Sequence, residues 1–67
     1  MLKNLKRVME EGSVSTRQLS LILGISEKSV YNKITGASEL TLSEARKIMD
    51  VFPQYSMDYL FADEERR

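Results

Sequence analysis

Between Ser15 and Gly36 the sequence starts a helix, stops it, starts another and stops that one too. Ser15, Thr16, Arg17 and Gln18 have the form of a capping box: the Ser15 hydroxyl can accept the Gln18 backbone N–H while the Gln18 side chain reaches back. Leu19, Ile22 and Leu23 follow at i, i+3, i+4, and Gly24 suits the left-handed position that ends a helix. Ser26 is a second N-cap, and Glu27 to Ile34 holds only Val30 and Ile34 as an apolar edge before Gly36. Helices this short do not persist alone in water, so both must be held by neighbours. The three residues Gly24, Ile25 and Ser26 are all that separates them.

The same punctuation predicts the rest. Leu2, Leu5, Val8 and Met9 share one helical face, giving a first helix over about 2–11 that ends at Gly12 and Ser13. Thr41 to Glu44 is another capping box, followed by a stripe of Leu42, Ala45, Ile48, Met49 and Phe52 that stops before Pro53. Ser56 can cap a short fifth helix with Met57, Leu60 and Phe61. No segment alternates as a strand would, and no repeat or linker is visible. The expectation is an all-α, five-helix domain over 1–62 with a frayed charged tail at 63–67.

Composition excludes several functions. With 67 residues there is room for one thin core. No cysteine and no histidine are present, which removes disulfides, thiolate metal sites and the commonest general base, so no enzyme and no cofactor are expected. Neither a secretory leader nor an apolar run near membrane-spanning length is visible, so a cytoplasmic protein without a membrane partner or a small-molecule substrate is expected. Net charge is zero but unevenly spread. Residues 1–36 carry six basic and three acidic side chains, residues 37–67 four basic and seven acidic. Such a basic half can attract phosphates while the acidic half limits non-specific binding, although ordinary solvated charge gives the same count.

Two short helices joined by a glycine turn, with Leu19, Leu23, Ile25, Val30 and Ile34 apolar and the small Ser20 near the crossing, have the spacing of a helix-turn-helix. Here the chain resembles the Cro/repressor-type helix-turn-helix regulators of phages and bacteria. The resemblance is carried by residues 15–26, by residues 29–36 with Gly36 twelve positions after Gly24, by residues 40–45 and by residues 58–61. It departs where the family usually has alanine at Ser20 and a polar pair at Leu21 and Ile22. The extra apolar surface of that pair suits core packing, the fifth helix or a second subunit, with core packing the favoured expectation.

The resemblance implies a lambda-repressor-like fold and a transcriptional regulator that inserts its third helix into the major groove of a double-stranded operator. It makes Glu27, Lys28 and Asn32 the base contacts. Lys28 can donate to guanine, Asn32 can pair bidentately with adenine, and Glu27 can accept from cytosine or simply favour the helix dipole. It places Thr16, Arg17, Ser29, Tyr31, Lys33 and Thr35 against the DNA backbone. Ser29 could reach a base edge instead, Tyr31 could be a half-buried edge residue, and Arg17 a solvated charge. Family members bind two-fold operators as dimers, so a weak homodimer is implied, with the fifth helix offering apolar surface. The reading left open beside it is a helical protein-interaction module that keeps the fold without reading DNA.

Overall fold

The computed structural model describes residues 1–63. Among the described residues are five helices and no strand: α1 (Lys3–Glu11), α2 (Thr16–Leu23), α3 (Glu27–Thr35), α4 (Leu42–Val51) and α5 (Met57–Leu60). No described helix is long and apolar enough to cross a membrane.

Four helices begin on a hydroxyl cap. Ser15 Oγ accepts the Gln18 N–H at 3.0 Å and Gln18 Oε1 accepts the Ser15 N–H at 2.8 Å. Thr41 and Glu44 form the second reciprocal pair, at 3.1 and 2.9 Å. Ser26 and Ser56 each accept one backbone N–H three residues on. Each arrangement satisfies backbone donors that a helix start otherwise leaves open. α1 has no side-chain cap. Its start is fixed by tertiary structure: Leu2 is buried, and its N–H donates to the Ile34 carbonyl at the far end of α3, 2.8 Å away.

Each helix contributes one of the five most deeply buried side chains, Leu5, Leu19, Val30, Ile48 and Leu60. They belong to a single cluster that also takes in Leu2, Val8, Met9, Leu23, Ile34 and Phe52. Full burial of such a side chain is worth about 1.5–3 kcal/mol, and in a chain this small no helix has another source of comparable stabilisation. α2 packs most extensively on α3 and also on α4, while α1 packs on α3 and on α5. The four-residue α5 is held by Leu60 in the core and by Asn4 Nδ2, which donates to the Tyr59 carbonyl at 3.0 Å. The rings of Tyr55 and Tyr59 stack beside it with centroids 5.4 Å apart.

Several expectations need correction. Leu21 is 74% and Ile22 40% exposed, so this pair is not core. α2 has eight residues and turns one face to α3 and α4, filled by Leu19, Ser20 and Leu23; Leu21 falls on the opposite face. α5 packs on α1 and leaves the pair exposed. Leu42, counted in the α4 stripe, is 62% exposed because the first turn of α4 projects beyond the core reached by Ala45 and Ile48. Asp63, assigned to the frayed tail, accepts from the α-ammonium of Met1 at 2.8 Å. The remaining tail residues, 64–67, lie outside the described residues.

The end of α1 also differs in detail. Gly12 has an ordinary negative φ, and it is Ser13 that adopts the left-handed conformation, at φ 58. Glycine serves at position 12 for space: a Cβ there would stand 3.3 Å from the Val8 carbonyl oxygen and 3.4 Å from the Phe52 ring. Gly24 serves for the other reason. Its φ is 72 and a Cβ would meet nothing within 4 Å, so only backbone conformation demands glycine.

Candidate nucleic-acid interface

The Gly24, Ile25, Ser26 connection fixes how α3 leaves α2. With Gly24 left-handed, its own N–H and that of Ile25 both donate to the Ser20 carbonyl, at 2.8 and 3.1 Å, and close the end of α2. The Ile25 side chain is partly buried and packs against the core cluster. Ser20 is 6% exposed, and its hydroxyl donates back to the Arg17 carbonyl at 2.6 Å, so a buried polar group is satisfied within its own helix. A bulkier residue at position 20 would push into the surface that α2 shares with α3 and α4.

α3 buries only Val30 and Ile34. The side opposite them holds Lys28, Asn32 and Thr35, spaced i, i+4, i+7 and so aligned along one face. Lys28 is exposed, while Asn32 and Thr35 are half-buried. The Asn32 side-chain amide has no hydrogen-bond partner among the described residues, so its donors and acceptor are unspent. Its backbone carbonyl is occupied by the N–H groups of Gly36 and Ser38, both at 3.1 Å, and by the Thr35 hydroxyl at 3.2 Å. These bonds and the left-handed Gly36 (φ 94) end the helix abruptly.

The remaining predicted contacts lie at the margins of that face. Glu27, in the first turn, is exposed, where an acid complements the helix dipole. Ser29 is half-buried, with its N–H on Ser26 Oγ at 3.1 Å and its Oγ accepting the Ser26 hydroxyl at 3.0 Å. Tyr31 is 62% exposed. It borders a groove of about 400 Å³ whose walls include Lys6 and Met9 of α1, Thr16 at the start of α2 and Thr35 of α3. Arg17 is exposed in the first turn of α2. One surface thus gathers Thr16, Tyr31 and Thr35. Lys6 joins them only through packing of α1 on α3, and the neighbouring α1 surface adds Lys3 and Arg7. Nothing local in the sequence relates α1 to the start of α2, so Lys6 has no role there beyond its charge.

Lys33 lies on the other flank. Its ammonium donates to the Glu39 carbonyl at 3.0 Å and pairs with Glu44 Oε1 at 3.1 Å. The Glu44 carboxyl is held below its ordinary value, chiefly by the Thr41 backbone N–H that it accepts and further by Lys33, against the opposing effect of partial burial. The structure therefore brings Lys28, Asn32 and Thr35 together on the outward face, sets Tyr31 and Thr16 beside it, and engages Lys33 with α4.

No protein-family model, curated protein or solved structure matches the chain.

Proposed function

We propose that the chain is a sequence-specific double-stranded DNA-binding regulator in which α2, the glycine turn and α3 form a helix-turn-helix and α3 reads the major groove. The observation that carries this reading is the outward face of α3. A helix with two buried side chains, capped by Ser26 at its start and closed by the left-handed Gly36 at its end, presents Lys28 and an unspent Asn32 amide one turn apart. Asparagine is suited to the N6 and N7 edge of adenine, and lysine to the O6 and N7 acceptors of guanine. Glu27 remains the third proposed base contact. Thr16, Arg17, Ser29, Tyr31 and Thr35 are the proposed backbone contacts: Thr16, Tyr31 and Thr35 line the groove, Arg17 follows in the first turn of α2 and Ser29 stands at the start of α3, where helix N-termini and hydroxyls favour phosphate. A repressor or Cro-like role on a two-fold operator follows from the sequence resemblance. The surface proposed for the weak dimer is the exposed Met57 and Tyr59 of α5, since Leu60 is spent on the core.

The test is a salt series of binding to the DNA upstream of its own gene and to a scrambled duplex, for the wild type and Asn32→Ala. The expected result is binding that weakens with salt, prefers its own duplex, and loses about 1–3 kcal/mol of that preference in Asn32→Ala.

Two observations favour a second reading, a protein-interaction module. Leu21 and Ile22 are exposed side by side on α2, and the chain has no net charge. Equal, weak binding of wild type and Asn32→Ala to both duplexes would select it.

A further inference from the structure

α3 has two flanks, and one of them is tied to α4 through a chain of four polar contacts. Lys33 Nζ donates to the Glu39 carbonyl and pairs with Glu44 Oε1. That same oxygen accepts the Thr41 N–H, and Thr41 Oγ1 accepts the Glu44 N–H. The contacts join the last turn of α3, the connection that follows it and the first turn of α4. Exposed lysine–carboxylate pairs usually contribute little, because two long side chains must be ordered in a screening solvent. Here both side chains are 14% exposed, and the cap has already fixed the carboxylate. Only the lysine has freedom left to lose, and it satisfies a loop carbonyl as well. Elsewhere α2 meets α3 through apolar packing and the loop meets α3 through backbone bonds at Asn32.

We propose that Lys33 and Glu44 form a strut that sets the angle of α3 against α4, so that Lys33 acts as a positioning residue for Lys28 and Asn32 and does not bind phosphate. This rests on the DNA-reading role of α3. The two roles differ in what they do to binding. A lysine that neutralises a phosphate releases condensed counterion and adds about 0.9 to the slope of log affinity against log salt. It carries no sequence information, so its loss weakens every duplex alike. A lysine that stays on Glu44 contributes nothing to the slope, and its loss misaligns the base-reading side chains, which lowers preference.

The experiment compares wild type, Glu44→Gln and the double variant Lys33→Met/Glu44→Gln on own and scrambled duplexes across a salt series. Each is measured at a temperature where circular dichroism shows it folded. The double variant keeps the net charge, and glutamine can still cap Thr41. The expected result is an unchanged salt slope in the double variant with a preference for the own duplex reduced about tenfold, and a smaller reduction in Glu44→Gln. A slope shallower by about 0.9 with preference intact overturns the strut, as does Glu44→Gln binding both duplexes more tightly because Lys33 has been released. If the wild type itself shows no preference, the DNA reading fails and the proposal fails with it. A wild type that discriminates beside variants that discriminate equally well overturns the strut alone.

Discussion

The two ends of α3 are built differently. Its first turns hold Glu27, Lys28 and Tyr31, all exposed, and the bonds that fix them are local ones made by the Ser26 cap. Its last turn is tethered from three directions. The chain start donates to the Ile34 carbonyl, the following loop donates to the Asn32 carbonyl, and Glu44 of α4 takes Lys33. One end is thus anchored while the other is left open. Side chains that must meet a surface outside the protein need both: freedom from internal partners, and a backbone that does not move. If α3 reads bases as proposed, it loses discrimination when its angle drifts, because the bidentate contacts that distinguish bases depend on geometry.

The largest expected effect comes from breaking the anchored end. Ile34 is 8% exposed within the core cluster, so Ile34→Ala should cost about 2–5 kcal/mol in denaturant unfolding. A domain of this length has only about 3–10 kcal/mol in total. A loss below about 1 kcal/mol would show that the last turn is not anchored by packing and that the contrast is mistaken.

An intermediate effect should follow acid. Glu44 has a depressed folded-state pKa, so its contribution is present above the ordinary glutamate value of 4.5 and is lost as pH falls through the lower folded-state value. The groups facing it are Lys33 from α3 and the Thr41 cap from its own helix. The stability advantage of wild type over Glu44→Gln, followed by thermal unfolding, should therefore hold above pH 4.5 and shrink below it. An advantage independent of pH would mean that the carboxylate charge is not what ties α4 to α3.

The smallest effect belongs to the open end. Lys28 is exposed and makes no hydrogen bond or ion pair among the described residues, so Lys28→Met should leave stability within about 0.5 kcal/mol. A larger loss in the same unfolding assay would mean that this end is tied down too.

How much was legible in the sequence followed the range of each interaction. The caps at Ser15, Ser26, Thr41 and Ser56 all formed as expected, because each joins residues three apart. The face of α3 was legible for the same reason: Val30 and Ile34 are its only apolar pair, so Lys28 and Asn32 could only lie elsewhere. Leu21 and Leu42 were less legible. Apolar residues on an amphipathic helix can serve its packed face or its free one, and only the partners of α2 and α4 decide which. The glycines divide likewise. A turn glycine shows where the chain bends, but at the end of α1 it is Ser13 that takes the left-handed conformation, while a Cβ at Gly12 would crowd the Val8 carbonyl and touch the Phe52 ring.

By itself the sequence determined the hydroxyl-capped starts of α2 to α5, the glycine turn before α3 and the chemistry carried on the outward face of that helix, since capping, backbone conformation and residue periodicity act within a few residues. Tertiary structure alone decided that Lys33 is held by Glu44, that Lys6 joins Thr16 and Tyr31 along one groove, and that Leu2 closes the end of α3. Those pairings join helices that approach one another only when Leu5, Leu19, Val30, Ile48 and Leu60 leave water together, and no local rule specifies which charged side chains that collapse brings within reach.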